Sequence, residues 1–473
     1  MKILLINPPA FENKDYIREG RCMQTKSSWA TLWMPLTLAY IASFLREKRH
    51  CEVFITDCIA ENLDLEKMAK RTAKIKPDLV VINTAIPSID GDAACSDLIK
   101  KAAPECKIAV IGMYPTLFEN KILEDYSKID FAVVGEPEWV ILKLAESLEG
   151  KLSTEVINGL IFRKNGQIIV NERQDYADNN VDELPFPARD LLKNEKYKLP
   201  INNEKFTLLS IGRGCPFSCI YCLSNKYYGK KFRKRQTENV IQEIEECASK
   251  YGIRNFLFWG ESFTLDQKYG EEICDEMIRR NLKIVWSTAS RVDTLNPVLL
   301  KKMKESGCAM LSLGIESMSQ EVLDKAKKGT TPEMSQKAVA MIRKSGIRSM
   351  GHFIIGLPGD TRESAQKSLK FACQNLDYAQ FYCAVPYPKT ELGEIAKNND
   401  WIVDKRISNL DLTKSVMKNE SMNSREVEKI RNRAYRAFYI RPKMLFQAIK
   451  ETDSLKSFLS IFNFIDWINN KRK

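Results

Sequence analysis

Three cysteines stand close together in the chain, at positions 215, 219 and 222, with the spacing C-x3-C-x2-C. Three thiolates this near one another can provide three ligands to a metal site or bind three metal atoms of a cluster. A closed structural zinc site takes four ligands, usually as two pairs, and a cubic [4Fe–4S] cluster normally takes four cysteines. The spacing therefore indicates a cluster with one iron left open, and an open position distinguishes catalytic metal sites from structural ones.

Two other interpretations of the trio compete with this one. The chain holds 13 cysteines among 473 residues, so an accidental triplet is expected in roughly one such chain in a hundred. The second is a zinc site completed by a distant residue, although the chain has only two histidines, His50 and His352. The surroundings favour the cluster, since a strand-like run, Phe206–Ile211, leads into the loop and Tyr221 is placed to cover a flat ligand.

The motif Cys215-Pro-Phe-Ser-Cys-Ile-Tyr-Cys222, coming directly after a strand, resembles the radical S-adenosylmethionine (SAM) superfamily. The resemblance implies a [4Fe–4S] cluster on Cys215, Cys219 and Cys222 whose free iron is chelated by SAM. One electron from the cluster splits SAM into methionine and a 5′-deoxyadenosyl radical. Beyond the cluster, no catalytic residue is assigned.

Composition narrows the class of protein. The length predicts two to four domains, and the formal charge of +12, spread among interleaved acids, favours an anionic ligand or surface without naming one. An odd number of cysteines without a secretory signal predicts a reducing, cytoplasmic location. No uncharged apolar run reaches 18 residues, so no membrane span is expected.

The first 145 residues alternate strands and helices, which predicts a doubly wound parallel sheet. The five strands are expected at 2–7, 52–57, 79–84, 107–112 and 131–135. Ligands bind such sheets beyond the carboxyl ends of the strands. The small or polar residues expected there are Asn7, Pro8, Asp57, Thr84, Ser88, Gly112, Gly135 and Glu136. Taken singly, each such residue commonly does no more than end a strand.

This block also resembles the cobalamin (B12)-binding domain that precedes many radical SAM modules. The resemblance rests on Asn7-Pro-Pro, the helix Pro35–Leu45 and the turn Val134-Gly-Glu-Pro-Glu138. It implies that the eight strand-end residues contact cobalamin. The chain lacks an Asp-x-His-x-x-Gly segment, so cobalamin would be held without a histidine ligand.

From 206 to about 391 the pattern gives six strand–helix units, which fit an open, partial barrel where a closed one has eight. An Asn165-Gly166 hairpin and a proline-rich connector separate the two halves. The sequence thus predicts an α/β protein with four parts. These are a Rossmann-like domain of B12-binding type over 1–145, a hairpin and linker over 146–200, a partial (β/α)6 TIM-like radical SAM core over 201–395 and a small helical region over 396–473.

A SAM site needs an acid, a base, a polar pair and a flat apolar slot. The barrel strand ends offer Glu261 for the amine, Arg291 with Ser287 for the carboxylate, and Glu316 for the ribose hydroxyls. Gly356 and Pro358, in Ile355-Gly-Leu-Pro-Gly359, are expected to let the backbone approach adenine, and Tyr221 completes the set. Each residue alone is equally typical of a surface ion pair or a strand cap.

Three further features have plain interpretations. The stretch Lys226–Arg235 holds six bases and is expected to be a solvated loop; nucleic-acid binding is not expected, whereas an anionic substrate or a reductase would explain it. His352 is expected to be a packed core histidine and is a minor candidate for proton transfer. A C-terminal apolar stripe is expected to dock on the same chain, or else to contact a membrane surface or a hydrophobic substrate. That stripe comprises Leu455, Phe458, Leu459, Phe462 and Ile465.

The resemblance implies an enzyme that functionalises an unactivated carbon, with cobalamin-dependent methylation as the first hypothesis. A radical cyclisation or ring contraction is the second, and an iron–sulfur electron-transfer or binding protein is the third. The implied cofactors are a [4Fe–4S] cluster, SAM and cobalamin. The implied partners are a small-molecule substrate, with a hydrophobic or lipid-like one indicated by the stripe, and a one-electron reductant such as flavodoxin or ferredoxin.

Overall fold

The structure is a computed structural model that describes residues 1–20, 23–25, 32–173, 180–199, 202–442 and 444. The chain divides into two compact units. Among the described residues, the first comprises 1–20, 23–25, 32–173, 180–197 and 223–233, and the second comprises 198–199, 202–222, 234–442 and 444. The short segment that directly follows Cys222 thus belongs to the first unit.

A seven-stranded sheet forms the centre of the first unit, in the order β2-β1-β3-β4-β5-β6-β7. Its strands are β1 (Lys2–Asn7), β2 (Glu52–Asp57), β3 (Leu79–Thr84), β4 (Lys107–Gly112), β5 (Phe131–Val133), β6 (Leu160–Lys164) and β7 (Gln167–Val170). The first five are parallel, as the sequence predicts. The hairpin that the sequence placed in the connector instead pairs antiparallel with β5 and extends this sheet.

Helices cover both faces of this sheet, because parallel strands require crossover connections. They are α1 (Leu36–Arg49), α2 (Leu65–Ile75), α3 (Ile89–Ala102), α4 (Met113–Phe118), α5 (Lys121–Asp125) and α6 (Pro137–Leu148), with α7 (Ser224–Tyr227) in the short segment after Cys222. The connection between β4 and β5 thus contains two short helices, α4 and α5. All six residues of β3 are buried, as expected for a central strand covered on both faces.

Six parallel strands form the sheet of the second unit, in the order β15-β14-β13-β12-β11-β8. They are β8 (Phe206–Ser210), β11 (Asn255–Trp259), β12 (Val285–Arg291), β13 (Cys308–Glu316), β14 (Arg348–Ile355) and β15 (Tyr378–Cys383); β9 (Gly212–Arg213) and β10 (Arg233–Lys234) are short strands between the first two. The strands follow one another across the sheet in chain order, which is the arrangement of a partial barrel. The prediction of six strand–helix units is confirmed.

The helices of the second unit begin at clear sequence signals. They are α8 (Thr237–Lys250), α9 (Gln267–Arg279), α10 (Pro297–Glu305), α11 (Gln320–Lys325), α12 (Pro332–Ser345), α13 (Arg362–Asn375), α14 (Glu391–Asn398) and α15 (Ser424–Tyr439). Proline at the first turn of α10 and α12 follows an N-cap side chain, Asn296 and Thr331, that accepts a backbone hydrogen bond. These caps fix where each helix starts relative to the preceding strand.

The two faces of strands β12 to β15 differ in exposure. Outward residues such as Trp286, Leu311, Phe353 and Phe381 are buried under helices. The alternate residues are half-buried and face the inside of the partial barrel. They are Ser287, Ala289, Met310, Ser312, Gly314, Met350, His352, Ile354, Gln380 and Tyr382.

The C-terminal region contains α15, as the predicted helical region requires. Residues 400–423 are mostly irregular, with one short 3-10 turn at Ile407–Asn409. The apolar stripe from Leu455 to Ile465 lies outside the described residues. In the part of the chain that the structure describes, no helix is both long enough and apolar enough to cross a membrane.

Candidate active site

The three cysteines lie on the loop that follows β8 and β9 at the carboxyl end of the second sheet. Cys215, Cys219 and Cys222 are half-buried, whereas eight of the other nine described cysteines are buried and only Cys373 shares their exposure. Burial raises the pKa of thiols elsewhere in the unit, to about 12 for Cys274, so those groups stay protonated. Accessible thiols in a loop are the ones suited to bind a metal cluster.

The three cysteines are candidate ligands of a metal centre. Among the described residues, no three histidine, cysteine, aspartate or glutamate side chains are close enough to share one metal ion. In a cubic cluster each thiolate binds a different iron. The assignment of a [4Fe–4S] cluster to Cys215, Cys219 and Cys222 stays a prediction.

Arg291, at the end of β12, organises the cysteine loop. Its Nη1 lies 3.9 Å from the Sγ of Cys219, and its guanidinium carbon is 3.6 Å from the centre of the Phe217 ring. The guanidinium also donates to both carboxylate oxygens of Asp293, at 2.9 and 2.8 Å, and at 2.7 Å to the carbonyl oxygen of Lys328. These contacts hold the guanidinium of Arg291 beside the sulfur of Cys219.

The structure pairs Arg291 bidentately with Asp293, and the contact of Arg291 with the SAM carboxylate stays a prediction. The reason for this pairing is local, because Asp293 comes two residues later and its carboxylate matches the planar fork. Phe217, in the cysteine motif itself, packs on the same group. The structure thus makes Arg291 a residue that positions the cluster loop.

A second group of polar side chains gathers at the end of β13. The Nζ of Lys328 donates to Glu316 at 2.8 Å and to the hydroxyl of Tyr221 at 3.4 Å. Lys328 and Glu316 are only 6% and 7% exposed, so this is a buried ion pair. Burial of the hydroxyl, together with the nearby charge of Glu316, raises the pKa of Tyr221 well above its usual value, and Tyr221 therefore stays protonated as a donor.

The lack of a side chain at Gly314 leaves the room that this ion pair occupies. A Cβ atom at that position would come within 2.7 Å of Oε1 of Glu316 and 2.8 Å of Nζ of Lys328. Glu316 itself adopts a left-handed backbone, with φ of 64°, which is uncommon for a non-glycine residue. A cradle of this kind, with one carboxylate, one ammonium and one hydroxyl, fits the ribose and amino-acid groups of SAM.

Of the remaining residues predicted to bind SAM, Glu261 comes after the end of β11 and Gly356 and Pro358 come after the end of β14, whereas Ser287 is the third residue of β12 and not at its carboxyl end. Glu261 follows β11 directly and is half-buried, and Ser287 faces the inside of the barrel. The close approach at Gly356 is made by Val427 of α15, whose methyl groups would lie 3.1 Å from a Cβ there. The space beside that glycine is therefore occupied by the protein, and direct contact of Gly356 and Pro358 with adenine stays a prediction.

The basic stretch 226–235 is not a wholly solvated loop, so that interpretation is wrong for its two arginines. Arg233 pairs with Glu136 inside the first unit, and Arg235 pairs with Glu243 of α8 inside the second. All four side chains are nearly or fully buried. In the sequence this run of bases looks solvated because its acidic partners are not adjacent to it. Glu136 lies far away in sequence, and Glu243 lies further along, within α8.

In the first unit, the strand-end residues form two buried groups. Arg18 connects Asn7, Pro8 and Asp92, with a bond of 2.7 Å from its Nη2 to the Asp92 carboxylate. The other Asp92 oxygen accepts from Ser88 at 2.7 Å. No sequence pattern marked Arg18 as the centre of this group.

Asp57 is held in the same region. It accepts from Asn7 at 2.8 Å and from the hydroxyl of Tyr197 at 2.7 Å. Burial raises the pKa of the Asp57 carboxyl, while these hydrogen bonds act in the opposite sense. The protein itself therefore provides hydrogen-bond partners for the polar side chains of Asn7, Asp57 and Ser88.

The second group surrounds Thr116 in α4. Its hydroxyl donates to the carbonyl oxygen of Gly112 at 2.8 Å and accepts from the amide of Gly135 at 3.0 Å. The hydroxyl of Thr84 donates to Ile111, also at a strand end. Glu136 is taken by Arg233. The eight predicted strand-end residues thus form the carboxyl edge of the first sheet. Their direct contact with cobalamin stays a prediction.

Comparison with known proteins agrees with this architecture. Residues 209–372 match the Radical SAM superfamily, and residues 27–144 match the B12 binding domain. A protein of Pyrococcus horikoshii named an uncharacterized methyltransferase is 36% identical over 453 residues, covering 95% of each chain. The anaerobic magnesium-protoporphyrin IX monomethyl ester cyclase of Rubrivivax gelatinosus is 26% identical, over 87% of this chain and 75% of its own.

Solved structures share the fold at low identity. The methyltransferase TsrM from Kitasatospora setae, with cobalamin and a [4Fe–4S] cluster bound, has a TM-score of 0.69 at 17% identity, covering 84% of this chain and 78% of its own. The cobalamin-dependent SAM radical enzyme OxsB, with aqua-cobalamin and SAM bound, has a TM-score of 0.76 at 14% identity, covering 98% and 70%. These likenesses establish the two-part fold.

Proposed function

We propose that this chain, which belongs to the radical SAM superfamily and carries an N-terminal B12 binding domain, methylates an unactivated carbon of a small molecule in a cobalamin-dependent reaction. The relative that covers nearly the whole chain is named a methyltransferase. A domain for cobalamin joined to a domain for SAM cleavage supplies the two functions that this chemistry needs.

One observation carries the proposal: accessible thiols and the polar group of Glu316, Lys328 and Tyr221 occur at the carboxyl ends of strands of one sheet, with Arg291 between them. Cys219 lies beside Arg291, and Arg291 in turn donates to the backbone of Lys328. A bound cluster would supply one electron to SAM, and bound cobalamin would supply the methyl group. The protein's part is to hold these groups and to exclude water.

The residues divide this work between them. Arg291 holds the cysteine loop and balances the negative charge of the thiolates. Glu316, with Lys328 and Tyr221, offers an acceptor and two donors to SAM, and the lack of a side chain at Gly314 accommodates the Glu316–Lys328 pair. Glu261 and Ser287 are proposed to complete the SAM site from the neighbouring strands.

A second candidate reaction is a radical cyclisation without methyl transfer. It is favoured by the relative from Rubrivivax gelatinosus, which is named a cyclase and aligns over 87% of this chain. The two reactions share SAM cleavage and differ in the fate of the methyl group. An electron-transfer protein, the third hypothesis, would catalyse neither of these two reactions.

The proposal includes a partner and a location. A one-electron reductant such as flavodoxin or ferredoxin would reduce the cluster, and a reducing cytoplasm would keep 13 cysteines free. The substrate is proposed to be hydrophobic, with contact to a membrane surface as the route by which a lipid-like one would arrive.

The test is anaerobic turnover of the full chain. Protein reconstituted with iron, sulfide and hydroxocobalamin, then given reductant and trideuteromethyl-SAM, is expected to be brown, to retain cobalamin and to release 5′-deoxyadenosine. Addition of a metabolite extract should yield a product heavier by a labelled methyl group. A deuterium-free product would favour cyclisation.

The matched variants are Cys219→Ala, which should lose both the brown colour and the release of 5′-deoxyadenosine, and Cys373→Ala, which should keep both. Cys373 has similar exposure but lies away from the cysteine loop. Colourless wild-type protein, or full turnover by the Cys219 variant, would overturn the proposal.

A further inference from the structure

Three uncharged polar side chains form a hydrogen-bonded group on the inner face of β14 and β15. Nδ1 of His352 lies 3.2 Å from the hydroxyl of Tyr382, and that hydroxyl donates to Oε1 of Gln380. The rings of His352 and Tyr382 are stacked with centres 5.8 Å apart and planes 4° from parallel. His352 is therefore not the packed core histidine that the sequence suggested.

These three side chains are reachable from the inside of the barrel. Each is half-buried, whereas Phe353, Phe381 and their outward-facing neighbours are buried beneath helices. A tyrosine whose ring faces an internal space and whose oxygen is held by two partners is fixed in direction. It presents its hydroxyl to whatever fills that space.

The strand register places the group close to the cluster loop. Arg291 pairs with Gly314, Gly314 with His352, and His352 with Gln380, so these four residues form one row across four strands. Neighbouring strands lie about 4.8 Å apart, so His352 stands roughly 10 Å along the row from the residue that contacts Cys219. The position between them is Gly314, which adds no side chain of its own to the row and has the Glu316–Lys328 pair beside it.

We propose that Tyr382 is a hydrogen-atom donor that quenches the 5′-deoxyadenosyl radical when no substrate is in place, with His352 and Gln380 as its positioning residues. This rests on the proposed function, because the radical comes from SAM cleavage at the cluster. A phenolic O–H bond is weaker than the C–H bond of the methyl group formed at C5′, so the transfer runs downhill.

The step balances in atoms and electrons. The O–H bond of Tyr382 breaks, a C–H bond forms at C5′, and the products are 5′-deoxyadenosine and a tyrosyl radical. One electron from the flavodoxin-type reductant and one solvent proton restore the phenol. Because the Tyr382 hydroxyl donates to Gln380, the hydrogen between Tyr382 and His352 belongs to Nδ1, and that N–H keeps donating to the oxygen after the phenolic hydrogen has left.

The test follows the origin of the hydrogen. The phenolic hydrogen exchanges with solvent, so reconstituted enzyme with SAM and reductant in D2O, without substrate, should release 5′-deoxyadenosine that carries deuterium at C5′. Freeze-quenched samples should show a tyrosyl radical by electron paramagnetic resonance. That signal should change shape when the protein contains ring-deuterated tyrosine.

Two variants separate Tyr382 from the other tyrosines. In Tyr382→Phe the radical must take hydrogen from carbon, so the deuterium content of the product should fall to background and the tyrosyl signal should vanish. Tyr378→Phe is the matched control, since Tyr378 lies at the opposite end of the same strand with its hydroxyl 3.1 Å from Arg348, and it should keep both signatures.

The outcomes distinguish this inference from the proposed function. Wild-type protein that makes no 5′-deoxyadenosine overturns both. Wild-type protein that makes 5′-deoxyadenosine without deuterium, or a Tyr382→Phe protein whose product is still deuterated, overturns only the role of Tyr382. If the Tyr382→Phe variant makes no 5′-deoxyadenosine, the role of Tyr382 is decided by the wild-type protein alone. The deciding measurements are then the deuterium content of its 5′-deoxyadenosine and its tyrosyl radical signal.

Discussion

Tyr439 makes two hydrogen bonds to the backbone of one residue, Ala379. Its hydroxyl donates to the carbonyl oxygen at 2.7 Å and accepts from the amide at 3.3 Å. Ala379 belongs to β15, which is the edge strand of the partial barrel, with no further strand on its outer side among the described residues. The side chain of Tyr439 thus takes the place of a missing strand.

The same pattern repeats along α15. The hydroxyl of Tyr435 accepts from the amide of Phe381 at 3.3 Å, and Nε of Arg431 donates to its carbonyl oxygen at 3.0 Å. Four helical residues advance about 6 Å and two strand residues about 6.6 Å, so the two repeats stay in step. Helix α15 therefore covers an edge that would otherwise be open to pairing with other chains.

Tyr439→Phe should lower the free energy of unfolding by about 1–3 kcal/mol, since it leaves a covered amide and carbonyl without partners. Chemical denaturation measures the change, and light scattering should show faster aggregation. The exposed neighbour provides the control, because Ile440→Ser removes no edge contact and should leave both measurements near wild type. Equal behaviour of the two variants would contradict the edge role.

Lys328→Met should weaken SAM binding about tenfold or more, because it removes the ammonium that holds Glu316 and Tyr221. It should also destabilise the fold by roughly 3 kcal/mol, since a buried carboxylate loses its partner. Equilibrium dialysis with SAM and denaturation measure the two effects. Lys327→Met is the matched control, because Lys327 is exposed and pairs at the surface with Glu391; unchanged SAM affinity in the Lys328 variant would contradict its role.

Asp360 should make stability depend on pH. Burial raises the pKa of this carboxyl from 3.8 to about 6, even though it accepts bonds from Ser364 and from the amide of Gly356. Between pH 4 and 6 the folded state then binds more protons than the unfolded state, so the free energy of unfolding falls as pH rises, by roughly 3 kcal/mol over that range. Above pH 6 this contribution is constant.

Asp360→Asn should remove that slope, as measured by denaturation at a series of pH values. The exposed Asp324 of α11 gives the comparison, since Asp324→Asn should retain the wild-type profile. A wild-type protein whose stability rises steadily from pH 4 to 6 with the same slope in Asp360→Asn would show that Asp360 contributes nothing.

Arg233→Met should destabilise the first unit by about 3–5 kcal/mol, because it leaves Glu136 buried without a counter-charge. Lys234→Met, at the next position, removes only an exposed pair with Asp266 and should cost less than about 1 kcal/mol. Denaturation of the two proteins compares them directly. Similar losses would mean that the basic stretch is solvated after all.

Much of the architecture could be predicted from local patterns. Strands such as 79–84 and 107–112 are short apolar runs between turn signals, and their bounds agree with the structure. The cysteine trio is visible because all its members lie within eight residues. Such features are encoded by neighbours in the chain.

The parts that sequence reasoning missed depend on residues far apart. Lys328 meets Glu316 across a helix, and Arg18 meets Asp92 from a loop 74 residues earlier. The sequence prediction for His352 was wrong because both faces of its strand are rich in apolar residues. The alternation of polar and apolar residues therefore did not show which face points into the barrel. Fold topology decides these contacts.

The covering of β15 by α15 also has a consequence for synthesis. The strand is complete at residue 383, but the tyrosine that closes its end comes only at residue 439. At 5–20 residues per second, a ribosome takes about 3–11 s to make the intervening stretch. During that interval the nascent barrel exposes an unprotected strand, so a chaperone that binds such edges should associate with the growing chain and leave once the helix has emerged.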